Sequence, residues 1–424
     1  MKATRIHLQW SPGFSAESYN SGVSLHSHTL HSRESLDLIY RAAGHSALLR
    51  AALRHAERRF RTFYGADLDL EKGWWTPPLA PLDAYTVEFE QIQSLGLKPI
   101  VSLTDHDDIE APMSLQAIDA TRKVPISVEW TVPLQNTFVH LGVHNLPPLR
   151  ARSIIKRLKE FTAKPSAGLM KDLLSGLHAN PGALIVFNHP MWDEKGVGFD
   201  MHRAAVLELL GQCSEYIDAF ELNGLRPWSE NRQTMLLGQT WSKPLISGGD
   251  RHAVEPNVIL NLSKARSFSE FAAEIRSGQS DVLITPRYRE GHVTRIIQNT
   301  IDVLGSYDTH GLGWREWLTE CSTRWTMAQR NHCRRFGDRI PRFQPVHFRG
   351  SCVLPGARRC GKLYARSPRV PIRSRFEDAS GAARRSAPHL FRCRRRLRSF
   401  LYPASIRDAE LPTTALCTRP GRRW

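Results

Sequence analysis

Thirteen residues near the start of the chain, Val23 to Ser35, read V-S-L-H-S-H-T-L-H-S-R-E-S. A short apolar run, Val23 and Leu25, leads into His26 and His28, and residues two apart on an extended chain point their side chains to the same face. Two imidazoles are thereby offered to one point in space, and neutral imidazole is the commonest protein metal ligand. Taken alone, an H-x-H is more often a pair of ordinary surface histidines. Its recurrence in the company of other ligand types is what gives it meaning.

The elements that must position such residues are legible from residue 20 to about 255, where one pattern repeats: a short apolar run ends in polar or metal-binding residues and is followed by a helix-like segment. The runs span residues 22–28, 98–107, 124–130, 137–144, 183–190, 216–224 and 243–252, with helices expected over 35–64, 82–94, 150–162, 168–177, 202–212, 229–240 and 267–276. Near-continuous apolar strands alternating with helices predict a parallel α/β sheet covered on both faces, with its chemistry at the C-terminal strand ends. Every one of the seven strand ends supplies candidates: His26 and His28, then Thr104-Asp105-His106-Asp107-Asp108, Glu129, His140, His189, Glu221 with Asn223, and Asp250 with His252. Singly, each has a plain structural account as a core histidine, a helix cap or a surface carboxylate. Jointly they would gather many ionisable groups at one mouth, which calls for a compensating charge.

The order and spacing of H-S-H-T, L-T-D-H-D, V-E, V-H-L-G, N-H-P, E-L-N-G and G-D-R-H resemble the PHP (polymerase and histidinol phosphatase) family over about residues 20–300. The resemblance implies a distorted (β/α)7 TIM-like barrel over 21–310, holding two or three divalent ions, usually zinc, manganese or iron, and hydrolysing phosphoesters. It implies His26, His28, His106, Glu129, His140, His189, Asp250 and His252 as metal ligands, with Glu129 bridging two ions and Asp105 orienting a ligand from behind. One position departs from the family pattern. Five residues after the second histidine, where a further Asp or His ligand is common, stands Arg33, so a trinuclear site requires Glu34 or His31 in its place. Arg33 is instead suited to gripping a substrate phosphate, with Arg251 and Arg226 as weaker candidates for that role. Glu129, His106, Asp105 and Arg33 are thus the residues expected nearest the reaction.

Composition bounds the remaining possibilities. The 424-residue chain carries a formal net charge of +17, but the last 114 residues hold 26 Lys+Arg against 7 Asp+Glu, leaving the first 310 at −2. Of seven cysteines only Cys213 precedes residue 311, which argues against a disulfide-stapled secreted domain and against thiolate ligation. No apolar stretch reaches about eighteen residues and no signal segment is evident, so a cytoplasmic protein without membrane partners is expected. Residues 1–20 read as an N-terminal extension, and 35–81 as a helical and loop insertion whose Gly73-Trp74-Trp75-Thr76-Pro77-Pro78 loop could wall a substrate. From 311 to 424 the strand-helix pattern collapses into Arg-rich text, including Arg392, Arg394, Arg395, Arg396 and Arg398. Without interleaved aromatics, it is expected to be unstructured or out-of-frame sequence rather than a nucleic-acid arm.

No catalytic serine elbow, phosphate loop or dinucleotide fingerprint competes for the chemistry. The expected function is hydrolysis of a small phosphorylated metabolite or nucleotide by a hydroxide held between divalent ions. A nucleic-acid substrate fits the near-neutral first part less well. A non-catalytic, metal-stabilised binding module is the remaining alternative.

Overall fold

The computed structural model describes residues 4–45, 47–65, 67–71 and 73–306; the Arg-rich segment 311–424 lies outside the described residues. The strands in chain order are β1 (Arg5–Leu8), β2 (Ser21–Ser24), β3 (Glu34–Ser35), β4 (Trp74–Trp75), β5 (Lys98–Val101), β6 (Val128–Leu134), β7 (Thr137–His144), β8 (Leu184–Asn188), β9 (Ala219–Asn223), β10 (Leu245–Gly248), β11 (Ile259–Ser263) and β12 (Asp281–Ile284). Between them run α1 (Leu38–His45), α2 (Ala47–Tyr64), α3 (Pro81–Ser94), α4 (Glu110–Gln116), α5 (Ala151–Ala163), α6 (Ala167–His178), α7 (Phe199–Cys213), α8 (Trp228–Thr240), α9 (Phe268–Arg276) and α10 (His292–Ser306). Local chemistry sets several of these boundaries. Pro81 opens α3, where its missing N–H costs nothing, and the Ser166 and Ser267 hydroxyls accept the first free N–H groups of α6 and α9.

The expected closed barrel is not what forms. The strands divide into two five-stranded mixed sheets, ordered β1-β12-β11-β2-β5 and β10-β9-β8-β7-β6, with β3 and β4 forming a separate two-stranded ladder. Two isolated bridges, Ser27 with Arg251 and His106 with Glu129, link the two five-stranded sheets. The physical reason lies in the residues beyond the strand ends. Beside these bridges His26, Asp107 and Asp250 have φ of 62°, 51° and 51°, a left-handed backbone that interrupts regular strand geometry and leaves single bridges in place of a ladder. β6 and β7 also form an antiparallel hairpin, and β11 is antiparallel to both of its neighbours, so the strict parallel alternation expected from the sequence is broken.

Apolar strand faces meet the helices in a continuous core that includes Trp130, Phe161, Phe187 and Phe220, each full burial worth about 1.5–3 kcal/mol. β1 and β12 were not expected as strands. They pair in parallel, from Arg5 with Asp281 to Leu8 with Ile284, and draw residues before 20 into the sheet. The 35–81 insertion is pinned at its base by Glu34 with Trp75 and Ser35 with Trp74. No described helix is long and apolar enough to cross a membrane.

Candidate metal centre

The centre is built by strand ends that release their backbone into turns. β2 ends at Ser24 and delivers His26 and His28. The segment after β5 delivers His106, and β6 carries Glu129 opposite Gly142 of β7. His140 comes from β7, His189 from the turn after β8, and Asp250 with His252 from the turn after β10. Left-handed residues of this kind cost about 1–3 kcal/mol each and persist where the surroundings over-determine them.

Glu129 lies at the middle of the group. Its Oε2 is 3.0 Å from His26 Nε2, 3.3 Å from His28 Nε2 and 3.3 Å from His106 Nδ1. Its Oε1 is 3.2 Å from His189 Nε2 and 3.5 Å from His140 Nδ1. Asp250 Oδ1 stands 3.5 Å from His28 Nε2 and 3.6 Å from His26 Nε2. Each of four overlapping sets gathers ligand atoms within 4.8 Å of one another: His28, Glu34, His106 and His252; His26, His189 and Asp250; His26, His28 and Glu129; and His106, Glu129 and His140. All eight residues expected as ligands are thus in one place.

Whether these residues fit divalent ions can be judged from their unused valences. His26 Nε2, His28 Nε2, His106 Nδ1, His140 Nδ1, Glu129 Oε2 and Glu34 Oε1 are buried and make no hydrogen bond, a set of orphans that ordinary folding avoids. Atoms that share an ion at about 2.1 Å in tetrahedral geometry stand about 3.4 Å apart, close to the separations of 3.0–3.5 Å around Glu129. Glu129 Oε2 makes no hydrogen bond to His26, His28 or His106 at these separations, whereas His189 Nε2 does bond Oε1. Among the described residues no lysine or arginine pairs with the buried carboxylates of Glu129, Asp250 and Glu221, which also call for a cation. The residues therefore fit a cluster of divalent ions.

The outer faces of the imidazoles are held so that the inner nitrogens are free. A carboxylate can only accept, so His26 Nδ1 donates to Glu221 Oε1 at 2.5 Å and Nε2 is the nitrogen turned to Glu129. Glu221 Oε2 accepts the backbone N–H of His189 at 2.8 Å. His252 Nδ1 lies 3.0 Å from the Asp250 carbonyl, and His28 Nδ1 lies 2.8 Å from the Ser32 hydroxyl, which also accepts the His106 N–H. Asn188 donates to Glu129 Oε1 at 2.9 Å. Burial, with the neighbouring imidazoles adding to it, pushes His140 well below the usual histidine range and keeps it in its metal-binding neutral form. Burial opposes ionisation of Glu129, but the facing His26, His140 and His106 hold it well below the usual carboxylate range.

The position in doubt resolves in favour of Glu34. Its Oε2 lies 3.3 Å from His106 Nε2 and its Oε1 3.2 Å from His252 Nε2, so Glu34 joins the centre. His31 is in none of the four sets. Arg33 is exposed, with its guanidinium 5.0 Å from the Trp74 ring centroid. It does line a cavity of about 560 Å3, which opens on Glu34, His106 and His140 and is bounded also by Trp74 and Phe138.

Three other expectations need correction. Arg251 is buried and paired with Glu88, and Arg226 is paired with Glu230 and lies 4.2 Å over Trp192, so neither offers its charge to the cavity. Asp105 bonds no imidazole. Its carboxylate accepts from the backbone N–H and hydroxyl of Thr29, bracing the turn that follows His28. Glu194 had not been picked out. It comes from the loop after His189, stands 3.8 Å from His140 Nδ1, and its carboxyl is pushed up to about 7 by burial.

Comparison with known proteins found no matching family model and no matching curated protein. Among solved structures, the chain is similar to PsfC from Pseudomonas syringae at TM-score 0.37 and 11% identity, over 66% of this chain and 98% of that one. It is similar to an amidohydrolase from Chromobacterium violaceum with bound sulfate and no metal, at TM-score 0.29 and 15% identity over 43% of this chain and 84% of that one. A protein called a metal-dependent phosphoesterase, from Bifidobacterium adolescentis, is similar at TM-score 0.30 and 12% identity over 70% of this chain and 99% of that one.

Proposed function

We propose that the chain is a metal-dependent hydrolase of phosphoesters, acting on a small phosphorylated molecule. The observation that carries this reading is the set of buried, unpartnered ligand atoms on His26, His28, His106, His140 and Glu129, beside a cavity walled by Arg33. Two or three divalent ions would be held by His26, His28, Glu34, His106, Glu129, His140, His189, Asp250 and His252, a mixed imidazole and carboxylate set that suits zinc, manganese or iron alike. Such ions ionise a water near neutral pH and neutralise charge on the phosphoryl oxygens.

The chain's own residues do the rest. Glu221, Ser32 and the Asp250 carbonyl fix the ring orientations, so the ligand geometry is set before substrate arrives. Arg33, stacked on Trp74, presents guanidinium donors to a phosphate oxygen, and Lys159 adds a second positive charge on the cavity wall. Trp74 and Phe138 offer apolar walls to the leaving group. A cavity of about 560 Å3 suits a small molecule, and the near-neutral first 310 residues lack the basic footprint that long nucleic acid requires.

The test is hydrolysis of an aryl phosphate by the purified chain, before chelation, after it, and after reloading with metal. Activity lost on chelation and restored on reloading is expected, and activity indifferent to chelation would remove the reading. Arg33→Ala is expected to raise KM about tenfold, the loss of one charge-assisted hydrogen bond, with metal content unchanged. An unchanged KM would remove Arg33 from the phosphate site.

A further inference from the structure

One buried ion pair joins two of the ligand-bearing turns, and the hydrolytic reading gives it no role. Glu88, in the middle of α3, is 0% exposed, and Arg251, between the ligands Asp250 and His252, is 3% exposed. Arg251 Nε donates to Glu88 Oε1 at 2.9 Å. The rest of its guanidinium is directed at backbone: one nitrogen donates to the Ala253 carbonyl at 2.7 Å and another to the His28 carbonyl at 2.9 Å. Glu88 in turn accepts from the Ser24 hydroxyl at 2.9 Å, the Ser27 hydroxyl at 3.2 Å and the Asn257 backbone N–H at 3.2 Å. The Asn257 side chain closes the circuit by donating to the Leu25 carbonyl at 3.0 Å. Apart from Glu88 itself, every partner falls within residues 24–28 or 251–257, the two segments that carry His26 and His28 and that adjoin or contain Asp250 and His252.

Both segments are in backbone conformations they would not hold unaided. His26 has φ of 62° and Asp250 has φ of 51°; the first sits within two residues of the gripped Ser24, Ser27 and His28, and the second is next to Arg251 itself. A guanidinium carries five donors in a rigid fork, so it can bind one carboxylate and two carbonyls at once. An apolar pair of similar volume would fill the space but leave the His28 and Ala253 carbonyls without these donors. A buried ion pair is poor evidence for fold stability, because desolvation offsets its attraction. What it supplies is a fixed relation between the groups it touches.

We propose that Glu88 and Arg251 are positioning residues that clamp the His26–His28 and Asp250–His252 turns together, so that the pair sets metal affinity more than it sets fold stability. The inference rests on the reading of this cluster as a metal centre.

The test uses the full chain, stripped by chelation and titrated with Zn2+ by calorimetry and with Co2+ by visible absorption. The parent is compared with Glu88→Gln and with the double variant Glu88→Met/Arg251→Met. Glu88→Gln leaves a guanidinium buried without its partner and is expected to melt lower. The double variant removes both charges and, although it leaves the His28 and Ala253 carbonyls without these donors, is expected to melt above Glu88→Gln when metal-free. Both variants are expected to bind metal about 10–100-fold more weakly, with an altered Co2+ absorption spectrum. A folded double variant with parental affinity and spectrum would overturn the clamp. So would failure of both variants to fold without metal, which would assign the pair to folding. A parent that takes up no metal would overturn the underlying reading together with the clamp, and is told apart by being seen in the unmutated chain.

Discussion

At the scale of single residues the account turns on Glu129, whose two oxygens face five imidazoles. Glu129→Gln keeps the shape but removes the charge that those rings and the ions share, so metal content measured by mass spectrometry should fall and hydrolysis should be lost. Retention of full metal content would show that Glu129 is not shared between ions. Glu221 touches no expected ion site but holds His26 Nδ1 at 2.5 Å. Glu221→Gln should therefore weaken metal binding by about 10–100-fold without removing a ligand. Much of the ligand set was legible because histidines and carboxylates fell at the ends of apolar runs. Glu34 was only one of two substitutes for the Arg33 position, because counting five residues from His28 lands on Arg33. Neighbouring residues on an extended segment face opposite sides. The pairing of Glu34 with Trp75 in the β3–β4 ladder turns Glu34 toward His106 while Arg33 meets Trp74 in the cavity wall. That choice depends on a long-range pairing across the insertion, which local spacing does not encode.

Among elements, β10 shows how backbone and site are coupled. A Cβ on Gly248 would collide with the Glu221 side chain, and one on Gly249 with Asn257. Gly248→Ala should thus displace Glu221 from His26 and lower metal affinity while β10 still forms; an unchanged affinity by calorimetry would contradict that coupling. The β1–β12 pair carries a pH-dependent element contact. Burial works against ionisation of Asp281, but hydrogen bonds from His7, Arg5 and Tyr19 hold its carboxyl down at about 2. A depressed folded pKa stabilises above the unfolded value and is lost as pH falls through the folded one. The β1–β12 pairing should therefore weaken between about pH 4 and pH 2. In denaturant titrations of metal-free protein, Asp281→Asn should lower stability at pH 7 and flatten that acid slope; an unchanged slope would place the titration elsewhere. Seven strands were readable because each ended in polar residues. β1, β11 and β12 end in no ligands, and so gave no comparable signal. The closed ladder is not formed: where the ligand turns take left-handed backbone, the pairing between the two sheets is reduced to single bridges.

For the molecule as a whole, charge and stability follow from the same centre. The basic excess lies beyond residue 310, while the described site sits in sequence close to neutrality. A chain ending at residue 313 should keep the metal content and aryl phosphatase activity of the full chain, and loss of either would give the Arg-rich segment a part in the site. Ions that bind the folded centre alone should raise stability by about 2.7 kcal/mol at a hundred times Kd, seen as a fall in Tm on chelation. The most direct test of the central claim is metal content per chain measured together with aryl phosphate hydrolysis, for the parent and for His26→Ala. The account predicts about two or more divalent ions in the parent and an activity that His26→Ala abolishes. A parent that folds, binds no metal and hydrolyses nothing would contradict it.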